Sequence, residues 1–172
     1  ALIGTIYSMR IAGDNFGWYI HEYSVDICVG EKNVQNTTFQ NGDIIFQTSE
    51  SKQCEAVRIA TNSKFSHCGI IFIEDAKTYV YEAVQPVKMT LLEDWISQGK
   101  DSKYVVQRLK KANEILTTEV LKKMRTYGNT MNNKNYDIYF EWSDEKIYCS
   151  ELVWKIYKNG ANIELCKTKK LK

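Results

Sequence analysis

The sequence is poor in proline and histidine, and it has no long apolar run. One Pro and nine Gly in 172 residues argue against a disordered or linker-rich chain. No stretch approaches the roughly 18 consecutive apolar residues that a membrane-spanning helix needs, and no secretory signal is visible at the start. The formal net charge of +2 is too small to indicate nucleic-acid binding. These absences leave an ordinary globular chain of one domain's length.

The cysteines and histidines lack the spacing of a metal site. There is no CxxC motif, and no Cys/His arrangement has zinc-finger spacing. We therefore expect no metal and no cofactor. The odd number of thiols leaves at least one without an intramolecular partner, while the pairing of the others stays open. The five positions are Cys28, Cys54, Cys68, Cys149 and Cys166.

The two ends of the chain carry little recognisable chemistry. Residues 1–38 are read as an N-terminal segment of unknown role, within which residues 18–23 fit either a helix or a strand. Because the sequence begins with Ala1 rather than Met, we interpret this start as a processing or cloning boundary. A leader removed there would favour the cell envelope or secretion over the cytoplasm. The Lys-rich end, residues 167–172, is typical of a solvated tail.

From residue 40 onward the pattern predicts alternating strands and helices. Buried strands are expected at residues 44–46 and 103–109, and a hairpin at 65–73 and 78–84. Helices are expected at 51–60 and 91–97, the second opened by a capping box at Thr90 and Glu93. A longer helix should begin at Thr117 or Thr118 and end at Gly128-Asn129. We find no internal repeat and no second domain.

The stretch around Cys149 predicts an amphipathic helix with a thiol in its first turn. Its apolar residues recur at helical spacing, at Cys149, Leu152, Val153, Ile156 and Tyr157. A helix is expected from Cys149 to a stop at Asn159-Gly160. Unpaired backbone N–H groups and the helix dipole favour a thiolate at that position and could bind an oxyanion. Cys149 fits equally well as the first core residue of the apolar stripe.

The predicted hairpin supplies a possible partner for this thiol. Side chains alternate across a strand, so His67 and Cys68 should face opposite ways. That makes Cys68 a poor nucleophile for His67 and a poor metal co-ligand. Glu82 lies on the neighbouring strand among apolar residues, and a buried carboxylate there needs a partner such as His67. The reading is a triad of Cys149 as nucleophile, His67 as base and Glu82 as orienting group. Each residue taken singly also fits a structural or surface role.

Four short motifs in a fixed order resemble one known family. They are Gly42-Asp43-Ile44-Ile45-Phe46, Ser66-His67-Cys68-Gly69-Ile70, Tyr79-Val80-Tyr81-Glu82-Ala83 and Tyr148-Cys149-Ser150-Glu151-Leu152-Val153. The series resembles the YiiX-like family of permuted papain-like amidases, relatives of the NlpC-type cell-wall peptidases. In ordinary papain-like enzymes the Cys helix precedes the His strand, whereas here the His comes first. The resemblance covers about residues 40–165.

The resemblance implies an α+β, papain-like fold in which an antiparallel sheet or small barrel packs against the Cys-bearing helix. It places the catalytic domain at residues 39–172 and the reactive pair at Cys149 and His67, with Glu82 as third member. The implied reaction is hydrolysis of an amide, on peptides of cell-wall type. The oxyanion would be bound at the Cys149 backbone N–H, with Tyr148 and Ser150 as weaker candidates. Relatives tend to continue beyond the Cys helix, so part of the cleft is expected to be absent or differently built.

Two other functions stay open at this stage. The same Cys–His pair could serve a lipid acyltransferase or thioesterase, or the fold could be a non-catalytic binding module. The expected partner is a peptide or another amide-containing substrate, with no nucleic acid and no integral membrane segment. The oligomeric state is open.

Overall fold

A computed structural model describes residues 38–49 and 63–166 with their side chains, and the backbone of residues 25–31. The expected helix at 51–60, the ambiguous stretch 18–23 and the Lys-rich end lie outside the described residues. In the part of the chain that is described, no helix is long and apolar enough to cross a membrane. The boundary between an N-terminal segment and a catalytic domain stays a prediction.

The described chain is organised around a six-stranded antiparallel sheet. Its strand order is β1-β6-β2-β3-β4-β5, and β7 and β8 form a separate parallel pair. The sheet therefore runs as an open sheet from β1 to β5 rather than as a small barrel. The strands are β1 (Val25–Glu31), β2 (Ile44–Ser49), β3 (His67–Glu74), β4 (Lys77–Glu82), β5 (Lys88–Leu91), β6 (Gly99–Leu109), β7 (Asn135–Tyr136) and β8 (Lys146–Ile147).

The strands form where the apolar patterning predicts them. The expected segment 44–46 lies in β2, segment 103–109 lies in β6, and β3 and β4 form the expected hairpin. Strand β1 falls within the segment that the sequence left unassigned, and it pairs with β6 from Val25↔Leu109 to Glu31↔Lys103.

Within the described residues, four helices flank the sheet. They are α1 (Leu92–Ser97), α2 (Ala112–Ile115), α3 (Thr118–Asn129) and α4 (Cys149–Ile156), and α4 continues as one π-helical turn, Tyr157–Ala161. As expected, α3 begins after Thr117, whose side chain accepts a hydrogen bond from the Val120 N–H. It ends at Asn129, where the sequence placed its end.

Two predicted helix boundaries are wrong for identifiable reasons. Thr90 does not cap α1, because it belongs to β5 and its hydroxyl donates to Glu82 instead. Gly160 does not end α4, since the π-helical turn runs through it to Asn162, which adopts the left-handed conformation. A Cβ at Gly160 would lie only 2.4 Å from the Met124 Cα. Gly160 is therefore needed for the close approach of α3.

The two faces of the sheet carry two separate cores. One face packs against α3 and α4 and includes Cys68, Ile70 and Phe72 of β3 together with Cys149 and Leu152. The opposite face packs against α1; its buried residues are Ile45, Ile71, Val80, Leu92, Trp95, Tyr104 and Val106. Alternation along β3 thus sends its odd and even residues into different cores. The start of α4 is fixed against the first residues of β3.

Candidate active site

Cys149 is the first residue of α4, as the apolar stripe predicts. Tyr148 occupies the N-cap with an extended backbone, and no side chain caps the helix there. The first-turn N–H groups therefore lie beside the Cys149 sulfur without a capping oxygen. Cys149 is only 6% exposed, so its side chain is largely shielded from solvent.

His67 and Glu82 meet as the hairpin register requires. Glu82 pairs with Gly69, two residues along β3 from His67, so both side chains stand on the same face of the sheet. The His67 Nε2 lies 2.5 Å from the Glu82 Oε2. Cys149 lies near enough to the imidazole to raise the pKa of His67. Because Nε2 is engaged by the carboxylate, Nδ1 is the ring nitrogen left for sulfur.

Glu82 is buried and fully engaged. Its Oε1 accepts a hydrogen bond of 2.5 Å from the Thr90 hydroxyl, and its Oε2 accepts one of 2.9 Å from the Trp95 Nε1. The Trp95 ring also stacks on His67, with centroids 5.9 Å apart. Burial by itself would raise the pKa of Glu82, but the hydrogen bonds from His67, Thr90 and Trp95 outweigh it and lower that pKa. A carboxylate that accepts from three donors keeps its charge despite burial.

The electrostatics favour a thiolate–imidazolium pair. Burial acts to lower the pKa of His67, yet its hydrogen bonds to Cys149 and Glu82 raise that pKa from 6.5 to about 10. Hydrogen bonds from Cys68 and His67 hold the pKa of Cys149 well below its ordinary value, against the opposing effect of burial. Both shifts favour a proton on the imidazole and a thiolate at Cys149.

The side chain of Cys68 turns to the face opposite His67, as expected. Cys149 nevertheless lies near enough to both residues to raise the pKa of each. The reason is the end of β4, whose last residue, Glu82, pairs with Gly69 and leaves the first two residues of β3 without a partner on β4. The start of α4 lies at this open edge, where side chains from both faces can reach one sulfur.

The acidic residue two positions after Cys149 helps to fix the start of α4. Glu151 is buried and pairs with Lys155 at 2.8 Å. It lies three residues after the N-cap Tyr148, the position of the acidic residue in a capping box. Burial raises the pKa of Glu151 to about 7 although Lys155 opposes the change. Lys155 also bonds to Asp144 at 2.7 Å, which ties the loop before α4 to the helix.

The candidate oxyanion donors lie where expected, with different surroundings. Ser150 is half-buried in the first turn of α4, next to Cys149. Tyr148 is buried, and its ring packs edge-on against Phe140 at a centroid distance of 5.3 Å. The oxyanion roles of Tyr148 and Ser150 stay predictions.

Four residues around the site were not assigned to it from sequence. Glu151 had a readable signal, since a Glu at the third helical position is half of a capping box. Trp95 and Thr90 had no such signal in the sequence, because only the packing of β5 and α1 against β4 brings them to Glu82. Cys68 was not expected beside Cys149, since strand alternation does not reveal where a neighbouring strand ends.

Comparison with known proteins gives concordant matches. Residues 38–172 match the model of the family described as permuted papain-like amidase enzyme, YaeF/YiiX, C92 family. The chain is 44% identical to the uncharacterized protein YiiX of Escherichia coli K12 over 133 residues. The matched region covers 77% of this chain and 64% of that protein. The crystal structure of metalloprotein YiiX from Escherichia coli O157:H7 superposes with a TM-score of 0.68 at 44% identity, covering 73% of this chain and 68% of that one. The chain thus spans less than two thirds of the length of the curated relative it matches.

Proposed function

Because the chain belongs to the permuted papain-like amidase family of YaeF and YiiX, we propose that it is a cysteine-dependent amide hydrolase. Cys149 acts as nucleophile, His67 as general acid and base, and Glu82 as the group that orients His67. The observation that carries the proposal is the 2.5 Å hydrogen bond between His67 and Glu82, with Cys149 near enough to the imidazole for Cys149 and Glu82 both to raise the pKa of His67. The substrate class that we propose is a peptide of cell-wall type.

Acylation uses the ion pair as it stands. The Cys149 thiolate attacks the carbonyl carbon of the amide, and the resulting oxyanion accepts hydrogen bonds from backbone N–H groups at the start of α4. The His67 imidazolium then donates its proton to the amide nitrogen as the C–N bond breaks. The amine leaves, and a thioester to Cys149 remains. Glu82 keeps the ring aligned by holding Nε2 throughout.

Deacylation reverses the role of the imidazole. Neutral His67 accepts a proton from a water molecule, and the water oxygen attacks the thioester carbonyl. When the tetrahedral intermediate collapses, the acid product leaves and the Cys149 thiolate is regenerated beside the imidazolium. Every proton transferred in the cycle therefore passes through His67 Nδ1, the ring nitrogen that faces the Cys149 sulfur.

A metal is not needed for these steps. The Escherichia coli O157:H7 relative is called a metalloprotein. Within residues 38–49 and 63–166, no group of three or more His, Cys, Asp or Glu side chains is arranged to hold a metal ion. His67 and Glu82 are bonded to each other at 2.5 Å, and that separation leaves no room for an ion between them. The proposal therefore routes no step through a metal.

The test is hydrolysis of peptide amides by the wild-type chain and by two variants, Cys149→Ala and His67→Ala. Both variants should lose at least about 1,000-fold in kcat/KM, since members of a nucleophile–base pair act as a unit. Cys166→Ser is the matched control, because this thiol is half-buried and is not one of the three proposed catalytic residues. Activity that survives in Cys149→Ala would rule out the assignment.

An acyl ester or thioester is the second candidate substrate. The loop before α4 exposes two large apolar side chains, Ile138 at 55% and Tyr139 at 49%. It is joined to the site through Phe140, which packs on Tyr148. An apolar acyl chain could lie on such a surface. Product analysis with peptide and phospholipid substrates separates the two candidates, since only one should yield a released fatty acid.

A further inference from the structure

The carboxylate of Glu82 makes no ion pair with the cation directly across the sheet from it. Glu82 pairs with Lys88 in the β4–β5 register, so the two side chains leave the same face of the sheet. Lys88 is exposed, and within the described residues it forms no ion pair with Glu82. The buried carboxylate is bonded instead to His67, Thr90 and Trp95. Those three donors therefore set its orientation.

Thr90 holds the oxygen of Glu82 that does not contact His67. Its hydroxyl donates to Glu82 Oε1 at 2.5 Å, in a buried contact. The bonds from His67 and Trp95 both go to Oε2. Thr90 pairs with Val80, two residues before Glu82, which places its side chain diagonally opposite Glu82 on the same face. Because Thr90 is only 7% exposed, water has little access to Oε1 in its place.

A bond to each oxygen fixes the plane of a carboxylate. The last torsion of a Glu side chain has broad minima, so a carboxylate held at one oxygen can still rotate. The Thr90 bond at Oε1 opposes that rotation and keeps Oε2 at 2.5 Å from His67 Nε2. Thr90 therefore acts on the imidazole through Glu82.

We propose that Thr90 is a positioning residue of the active site, whose hydroxyl holds Glu82 Oε1 so that Oε2 stays directed at His67 Nε2. The inference deepens the proposed function and rests on His67 being its general acid and base. Thr90 touches no reacting atom, and no bond to it is made or broken during the cycle.

The same bond helps to keep Glu82 ionised. Burial raises the pKa of Glu82, and the bond from Thr90 is one of those that lower it. Without that donor, protonation of Glu82 should begin at a higher pH. Besides His67, the ionisable groups at this end of the elements packed against β4, within the described residues, are Cys68 on β3, Lys88 on β5, Glu93 and Asp94 on α1, and Cys149 on α4.

The experiment follows the His67 Nε2–H proton by NMR in protein labelled with ¹⁵N-histidine, from neutral pH into the acid range. This proton lies in a bond with an N···O distance of 2.5 Å, so it should exchange slowly with water. Thr90→Val keeps the side-chain shape and removes the donor, whereas Thr90→Ser keeps the donor. Thr78→Val is the matched control, because Thr78 lies on β4 and its hydroxyl makes no hydrogen bond to a described residue.

We expect the His67 proton to exchange about tenfold faster in Thr90→Val than in wild type, since a hydrogen bond to a charged group contributes on that order. The pH at which its signal is lost should rise by about 1, because Glu82 is protonated more easily. Thr90→Ser and Thr78→Val should match the wild type. A Thr90→Ser variant that behaves like Thr90→Val would reveal a packing effect and overturn the proposal.

The same spectra separate this inference from the proposed function. A wild-type protein without a protected His67 Nε2–H proton would contradict the His67–Glu82 pair and the hydrolase proposal with it. A wild-type protein that shows the proton, with exchange and acid midpoint unchanged in Thr90→Val, would leave the hydrolase proposal intact and refute only the role of Thr90.

Discussion

Neutralising Glu82 tests whether its charge holds the proton on His67. The substitution Glu82→Gln suits this purpose because an amide can reproduce the local hydrogen bonds. Its oxygen can accept from His67 and Trp95, as Oε2 does now, and its NH₂ group can donate to the Thr90 hydroxyl. The variant should therefore fold, and the change lies mainly in the charge.

The magnitude follows from the pKa of His67. A rise from 6.5 to about 10 corresponds to about 5 kcal/mol in favour of the imidazolium. The bond to Cys149 contributes more to this rise than the bond to Glu82 does. If the Glu82 charge contributes about 2 kcal/mol of the stabilisation of the imidazolium, Glu82→Gln should lower the pKa of His67 by about 1.5. Cys149→Ala should lower it further.

The assay is an NMR titration of the imidazole Cε1–H resonances, which is simple to assign because the chain has two His. Asp43→Asn is the matched control. Asp43 is also buried and ion-paired, with Arg108 at 2.7 Å, but it precedes β2 at the end of the sheet away from His67. The reasoning fails if Glu82→Gln leaves the His67 titration unchanged, or if wild-type His67 titrates near 6.5.

Three further predictions concern other parts of the site. Trp95→Phe removes a donor to the Glu82 carboxylate and leaves a void at a fully buried side chain, so it should cost about 3 kcal/mol of unfolding free energy. The pKa of His67 should fall less than it does in Glu82→Gln; calorimetry and the same titration check this, and an equal fall would contradict it. The carboxyl of Glu151 titrates near 4.5 when unfolded and at about 7 when folded, so its stabilising effect is complete below pH 4.5 and is lost as pH rises through 7. Relative to Glu151→Gln, wild type should therefore lose about 3 kcal/mol of unfolding free energy as the pH rises from 4.5 to 7. Denaturant titration at several pH values measures this, and an equal pH dependence of the two proteins' stabilities would refute the prediction. An excess of chelator should leave hydrolysis unchanged, and a loss restored by one particular metal would count against the thiol mechanism.

Much of the local structure could be predicted because the signals are local. The alternation at residues 44–46 and 67–74 and the helical stripe that begins at Cys149 each reflect burial of one face of an element. The turn residues 74–77 then fix the hairpin register, and with it the approach of Glu82 to His67. The same reasoning failed at Thr90 and Gly160, where a distant element uses the residue for another contact.

The order of the motifs, the hairpin register and the apolar stripe were determined by the sequence, and together they are sufficient to name Cys149, His67 and Glu82. Tertiary structure alone decided the surroundings of the sulfur. Strand β4 stops one pair short of Cys68, and α4 occupies the edge it leaves, so a thiol and an imidazole from opposite faces of β3 meet at Cys149. Side-chain periodicity describes the faces of one strand, whereas the place where a neighbouring strand ends depends on packing between elements far apart in the chain.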